Sequence, residues 1–589
     1  MIKSREKGVD LKMMQGQRRL RMISLVVVVL SLTLVLTACG GDSKPQEKQS
    51  NSKFGGNLVS TELGDPKTFN PIMAQETSSS NIIESYIFES LISVNGKTTE
   101  LEPGLAKSWS SNDDGTVWTF KLRENVKWND GEEFSAEDVI FTYNVIYDRD
   151  IPTSTRDVLT IGGQEIKVEK VDKYTVKMTL PQPFAPVLRQ QPPIIPKHKL
   201  YQAWQNNKFK EKWGIDTEPT KIVGTGPFKM VSYKPGERVV LERNPHYWQK
   251  TEAGESYPYV KRWVREIVDS TETQVLKFEQ QQVDFIGVPN KDYQRLQKKS
   301  EQANNDYDVV NAGPTFSSNF VVFNMNPRNP ELDKKPWKLE WFTNLHFRRA
   351  VAHAVDRETI ADQVFAGLAT PQWSPVSKPN QQFLNQDIRK YHYDLDKARQ
   401  ELKKGGFSWN DKEQLVGPKG HRVEFNFVTN AGNKEREAML NIIANDLTEL
   451  GMKIHTTPIE FNKMVKQLTS EWNYDAILIG FTGSIEPNVG ANVWKSSGSL
   501  HAWNPRQKEP ATEWEARIDE LFKKGVQTTE LEERKKYYDE WQEIVAQKVP
   551  VIYTVAPNAI YGIRNRVKNT EVSAYGGVSW NAEKIYIKQ

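Results

Sequence analysis

Residues 103–146 read PGLAKSWSSNDDGTVWTFKLRENVKWNDGEEFSAEDVIFTYNVI and carry the clearest folding signals in the chain. In TVWTFKL, Trp118, Phe120 and Leu122 occupy alternate positions, which is the period of a half-buried strand. The run Asn-Asp-Asp-Gly just before it is typical of a tight turn, so residues 108–122 predict a β-hairpin. This stretch therefore begins a folded region with strands.

Helix signals follow the hairpin and recur through the second half of the chain. Ser135 precedes two acidic residues, and Asp394 precedes LDKARQELKK, so both predict capped helix starts. Further predicted elements are the strands 424–429, 452–457 and 475–480 and the helices 434–450 and 462–468. Strands that alternate with helices predict a parallel or mixed α/β layer.

The amino terminus has the features of an export signal. Residues 1–21 contain seven Lys or Arg, residues 22–36 are apolar, and Leu-Thr-Ala-Cys ends at Cys39. About 15 apolar residues are fewer than the roughly 20 that span a bilayer. The run ending at Cys39 resembles the bacterial lipobox, which implies cleavage of a signal peptide (residues 1–38) and lipidation of Cys39.

Composition excludes several classes of protein. Cys39 is the only cysteine, so the chain can form neither an internal disulfide nor a thiolate metal cluster. The formal net charge is +4, but removal of residues 1–38 leaves about −1, which gives no indication of nucleic-acid binding. Residues 39–53 have no large apolar side chain after the cysteine and predict a flexible tether.

No sequence motif indicates catalysis, a metal or a cofactor. Residues 96–98 end like a phosphate loop, but Leu91 stands where that motif needs glycine. Gly224 and Gly226 begin a dinucleotide turn, but Lys229 takes the third glycine position. The eight histidines show no metal-ligand spacing, and no nucleophile elbow occurs. We therefore expect no enzyme activity and no cofactor.

Four stretches together point to one family. They are residues 103–146, 223–248 (VGTGPFKMVSYKPGERVVLERNPHYW), 347–371 (FRRAVAHAVDRETIADQVFAGLATP) and 391–407 (YHYDLDKARQELKKGGF). In order and spacing the chain resembles the family 5 bacterial extracellular solute-binding proteins, which include the oligopeptide, dipeptide and nickel receptors of ABC importers. The resemblance extends over roughly residues 54–589.

This resemblance implies an α/β, two-lobed periplasmic-binding-protein-like fold (type II) with an extra subdomain inserted in lobe I. Two chain crossings between the lobes are expected near 313–316 and 553–557. The expected segments are 54–90, 215–313 and 555–589 for lobe I, 91–214 for the inserted subdomain, and 314–554 for lobe II. Such lobes close around a ligand like a hinge.

The function implied is that of a lipid-anchored, extracytoplasmic solute-binding protein. It would capture oligopeptides as a monomer and deliver them to ABC permease subunits, with the lipid anchor as its contact with the membrane. The alternatives are a non-peptide cargo, such as a metal chelate or an oligosaccharide, a sensor without transport, or an exported hydrolase.

Only some of the ligand-binding residues implied by the family resemblance have counterparts in this sequence. In the family's peptide receptors, a strand ends in Gly-Trp and is soon followed by an Asp that pairs with the ligand's α-ammonium group. Here the strand ends in Gly480 and Phe481, Ser484 takes the Asp position, and Glu486 is the nearest carboxylate. The other candidate ligand-binding residues are Trp494, Trp503, Asn324, Asn326, Thr77 and Ser78.

Overall fold

Two central β-sheets organise the chain, and each has a hydrophobic core of its own. The computed structural model describes residues 53–84 and 86–588. The predicted signal peptide, Cys39 and nearly all of the predicted tether lie outside these ranges. We call the first sheet and the elements packed on it the first lobe, and the second sheet with its helices the second lobe.

The first sheet has eight strands and is mixed. Asn57–Glu62 lies at its centre, parallel to both neighbours, whereas the remaining pairs are antiparallel. Along the sheet the strands are Tyr307–Pro314, Val555–Arg564, Phe285–Gly287, Asn57–Glu62, Arg262–Ile267, Arg238–Arg243 and Phe228–Lys234, with Ala369–Pro371 added beside Val555–Arg564. Burial alternates along Asn57–Glu62, as expected for a strand whose faces differ.

The second sheet has five strands. In order across the sheet they are Lys453–Ile459, Glu424–Asn430, Ala476–Phe481, Ser318–Phe323 and Val551–Tyr553. The first three are parallel, and Ser318–Phe323 is antiparallel to both of its neighbours. The first four residues of Ala476–Phe481 are buried, because helices cover the sheet. The predicted α/β layer is therefore present here.

The chain crosses from one sheet to the other twice. It leaves the first sheet at Pro314 and enters the second at Ser318, and it returns around Thr554. The backbone amide and hydroxyl of Thr554 both donate to the carbonyl of Asn319, at 2.9 and 3.0 Å. Ala369–Pro371 departs from the simple division, since it follows the first crossing but pairs with the first sheet.

A four-stranded antiparallel sheet lies within residues 91–214. Its strands, in order, are Ala106–Ser111, Val117–Leu122, Thr175–Thr179 and Lys167–Asp172, and the first two form the predicted hairpin. Ser135 begins the helix Ala136–Tyr147 through a capping box with Asp138, as its sequence pattern predicts. Phe120 from this sheet and Trp263 from the first sheet share one core, so the insertion belongs to the first lobe.

Helices cover the sheets and connect their strands. The remaining α-helices are Thr77–Ile83, Thr155–Leu159, Lys197–Gln205, Thr271–Glu279, Tyr293–Ser300, Trp337–Thr343, Leu345–Ala354, Arg357–Thr359, Leu395–Lys404, Lys434–Glu449, Phe461–Lys466, Ala491–Trp494, Glu513–Gln527 and Leu531–Lys548. The short strand pairs are Ile92–Val94 with Leu101–Pro103, Ser408–Trp409 with Leu415–Val416, and Val567–Lys568 with Tyr586–Ile587. Within the described ranges, no helix is long and apolar enough to cross a membrane.

Candidate ligand cleft

A cavity of about 670 Å³ lies between the two lobes. From the first lobe, its wall includes the loop and helix around residues 71–84 and parts of the insertion, such as Thr155. From the second lobe, it includes the start of the helix Lys434–Glu449 and the loop after the strand Ala476–Phe481. The volume falls within the range of about 300–1,000 Å³ that is typical of ligand pockets.

The first crossing and the loop after Ala476–Phe481 meet at the floor of this cavity. A Cβ atom on Gly483 would lie 1.8 Å from the carbonyl oxygen of Phe316, so this approach requires glycine. A Cβ atom on Gly480 would lie 2.4 Å from Nη2 of Arg436. The two glycines therefore allow the strand end and the crossing to pack closely at the cavity.

Five of the nine predicted ligand-binding residues lie on the cavity wall. They are Thr77, Phe481, Ser484, Glu486 and Trp494. The cavity thus brings together the loop predicted to open lobe I and the strand end predicted in lobe II. The other four, Ser78, Asn324, Asn326 and Trp503, are not among the wall residues, so their role as ligand contacts stays a prediction.

The two asparagines instead organise a buried turn. Nδ2 of Asn324 donates to the carbonyl oxygens of Trp472 and Tyr474, at 2.8 and 2.9 Å. Oδ1 of Asn326 accepts from the backbone amide of Arg328 at 3.0 Å. Both side chains are almost completely buried inside the second lobe, and Nδ2 of Asn326 has no hydrogen-bond partner within the described ranges.

Trp503 and Ser78 are also core residues. Nε1 of Trp503 donates to Oε1 of Glu515 at 3.0 Å, and His501 contacts the same oxygen at 3.0 Å. Burial would raise the pKa of Glu515, but the hydrogen bond from His501 is among those that lower it to about 2. The hydroxyl of Ser78 is buried and makes no hydrogen bond within the described part of the chain.

Glu486 reaches the cavity wall but already has a cationic partner. Its Oε1 lies 2.6 Å from Nη2 of Arg534, and both side chains are less than a tenth exposed. Burial alone would lower the pKa of Arg534, but the Glu486 carboxylate raises it above its usual value. The same oxygen accepts from the backbone amide of Asn488 at 3.3 Å. The negative charge of Glu486 is therefore compensated within the protein.

Sequence reasoning missed three acidic wall residues, Glu76, Glu84 and Glu435. Burial raises the pKa of Glu84, and it raises the pKa of Glu435 to about 7. Glu435 lies just after a parallel strand, at the edge where α/β sheets bind ligands, so its position offered a signal. Glu84 follows a seven-residue helix with no side-chain cap, and no sequence pattern marks it.

Arg436 is the cation of the cavity wall. Its Nε donates to Oδ1 of Asn319 at 3.1 Å, and Nη1 donates to Oδ1 of Asn430 at 3.0 Å. Burial lowers its pKa to about 10. These hydrogen bonds fix the guanidinium between two strand ends of the second sheet, those of Ser318–Phe323 and Glu424–Asn430. Within the described ranges, no group of three or more metal-ligating side chains could hold a metal ion.

The lobes touch on several sides of the cavity, so the cleft is closed. The backbone amide of Asn290 donates to Oε1 of Glu435 at 2.8 Å, and that of Thr271 donates to the carbonyl of Gly432 at 3.2 Å. The other contacts between the lobes include Asn462 Nδ2 with the Asp65 carbonyl (3.0 Å), Asn488 Nδ2 with Gln190 Oε1 (3.0 Å) and the Ser499 amide with Asp157 Oδ2 (3.1 Å).

This closed, two-lobed architecture matches a known family. The family model for bacterial extracellular solute-binding proteins, family 5 middle, matches residues 100–500. The chain belongs to this family. The prediction made from four sequence stretches is thereby confirmed.

Known relatives of this solute-binding protein extend over nearly the whole chain. A probable ABC transporter-binding protein of Deinococcus radiodurans is 29% identical over 563 residues, covering 92% of each chain. The oligopeptide-binding protein AppA of Bacillus subtilis is 26% identical over 562 residues, covering 92% of this chain and 94% of AppA.

The solved structure of AppA in complex with a nonapeptide is similar in fold. Its TM-score is 0.78 at 25% identity, with 91% of this chain and 99% of AppA covered. The predicted fold class, a two-lobed type II periplasmic-binding-protein fold, is confirmed by this similarity and by the mixed sheets.

Proposed function

We propose that this solute-binding protein captures oligopeptides outside the cytoplasm and delivers them to the permease of an ABC importer. The enclosed cavity between the lobes carries the proposal, because it is a ligand-sized space in a protein of a solute-binding family. In this proposed role the protein binds and releases its cargo and is not an enzyme. Its permease and ATPases are separate chains.

The composition of the cavity wall supports a peptide as cargo. Phe316, Phe481 and Trp494 offer aromatic surface, on which side chains of varied shape can pack. Polar groups such as Ser484 lie beside them and can bind main-chain amides and carbonyls. The relative AppA is named an oligopeptide-binding protein, and its structure contains a nonapeptide, which supports the same cargo class here.

Native mass spectrometry of the protein purified without denaturation tests the cargo. A closed cleft retains a tightly bound ligand, so we expect a bound mass that dissociates on activation and fragments as one or more peptides. A saccharide or a metal chelate in its place would contradict the peptide proposal and support the alternative cargo classes. Peptide that is hydrolysed during incubation with the protein would favour the hydrolase alternative.

We also propose that Cys39 carries the lipid anchor and that residues 39–53 keep the folded protein, as a monomer, near the membrane. We expect Cys39→Ser to leave a folded protein that no longer fractionates with membranes, because the tether separates the anchor from the fold. Membrane fractionation after a high-salt wash measures this. A variant that stays with the membrane would indicate instead that residues 22–36 are retained as a helix.

A further inference from the structure

Glu84 differs from the other charged side chains on the cavity wall. Glu76 accepts a hydrogen bond from the hydroxyl of Ser79, Glu435 accepts one from the backbone amide of Asn290, and Glu486 pairs with Arg534. The guanidinium of Arg436 is held by two asparagines. The carboxylate of Glu84 forms no hydrogen bond or ion pair with any residue that the structure describes.

The position of Glu84 disfavours the negative charge of its carboxylate. Ile82 and Ile83 beside it are completely buried, so the backbone is fixed and Glu84 is held at the cavity. It also ends the helix Thr77–Ile83, where the helix dipole disfavours negative charge. The side chain is exposed to the cavity, but both lobes surround it, and this loss of bulk water raises its pKa.

Asn380 gives a second, independent sign that the cavity accepts hydrogen bonds from a ligand. Its Nδ2 donates to the carbonyl oxygens of Ser484 and Ile485, at 3.2 and 3.0 Å, which fixes the orientation of the amide. Its Oδ1 is buried without a partner within the described ranges, although the residue is 4% exposed and lines the cavity. A buried acceptor of this kind needs a donor.

We propose that Glu84, in the first lobe, is the anion that receives the cationic group of the cargo when the cleft closes. The inference rests on the proposed function and makes it more specific, because the cargo would carry an ammonium or guanidinium group. A cation enclosed between two lobes needs a paired anion, and Glu84 is an acidic wall residue whose charge is uncompensated. The cation is either the amino terminus of a peptide or a basic side chain.

Calorimetry on three matched peptide series tests this assignment with Glu84→Gln. The series are tri- to pentapeptides with a free amino terminus, the same peptides acetylated, and acetylated peptides that contain Lys. We expect Glu84→Gln to weaken binding of the free or Lys-containing series by about 30-fold, equivalent to about 2 kcal/mol. Acetylated peptides without Lys should lose less than twofold. The series that responds identifies the source of the cation.

Two controls separate a ligand contact from a structural role. Glu124→Gln changes an exposed carboxylate paired with Lys107 and should leave every affinity unchanged. Because Glu84 has no partner to lose, Glu84→Gln should not lower the melting temperature, and Glu84→Asp should retain part of the affinity.

Two results would overturn the inference. If Glu84→Gln bound all three peptide series as tightly as the wild type, the role of Glu84 would be overturned and the peptide function would stand. Failure of the wild type to bind any peptide would overturn the peptide function and the inference with it.

Discussion

Glu486→Gln is expected to lower the free energy of unfolding by about 3 kcal/mol. The substitution leaves the guanidinium of Arg534 buried without its anion, and breaking a buried ion pair on one side costs about 3–5 kcal/mol. Nε of Arg534 keeps its hydrogen bond to the carbonyl of Gly525, which places the expected loss at the lower end. Urea denaturation of the variant and the wild type measures the difference.

Two further variants test whether the loss of stability arises because a buried charge is left unpaired. Glu540→Gln removes an anion from the helix that contains Arg534, but its pair with Arg517 is more than a third exposed, so we expect a loss below about 1 kcal/mol. Combining Glu486→Gln with Arg534→Met removes both charges and should recover most of the stability, because no buried charge is left unpaired.

Measuring the peptide affinity of the same variant tests the alternative, that Glu486 binds the ligand. If Glu486 took the role of the aspartate in the family's peptide receptors, Glu486→Gln would weaken binding of peptides with a free amino terminus and leave stability unchanged. The pairing with Arg534 predicts the reverse: lower stability and nearly unchanged affinity. This comparison decides which of Glu84 and Glu486 is available to a ligand cation.

Much of the fold could be predicted because its signals are local. The hairpin around residue 115 follows from strand alternation and turn residues, and the helices after Ser135 and Asp394 follow from their capping side chains. The parallel strands of the second sheet are recognisable from their apolar runs. The extra strand Ala369–Pro371 has no such signal, because three residues pair with a strand almost 190 positions later.

The cleft could be predicted only in part, because side-chain partners are not local. Phe481 ends its strand and Ser484 follows in the next loop, so their place at the cavity could be predicted from the strand boundary. In contrast, Glu486 pairs with a cation 48 residues away, and Asn324 binds carbonyl groups about 150 residues away. Such contacts decide whether a polar residue faces a ligand or supports the fold, and the sequence does not display them.

Gly432→Ala is expected to weaken ligand binding by about 100-fold, or about 2.8 kcal/mol. Gly432 belongs to the second lobe, and its carbonyl accepts from the amide of Thr271 in the first lobe at 3.2 Å. A Cβ atom at this position would lie 1.7 Å from the carbonyl oxygen of Asp269. That oxygen is part of the backbone and cannot rotate away, so the methyl group opposes the closed arrangement. Ligand affinity includes the free energy of closure, and the penalty therefore appears in binding.

Gly420→Ala is the matched control for backbone strain. Both glycines have a φ near +80°, where alanine costs about 1 kcal/mol, but a Cβ atom on Gly420 would meet no atom within 4 Å. We expect both variants to lose similar stability and only Gly432→Ala to lose affinity. Small-angle scattering with saturating ligand should show the wild type and Gly420→Ala compact and Gly432→Ala more extended. Normal closure and affinity in Gly432→Ala would mean that the ligand-bound protein does not bring Gly432 against Asp269.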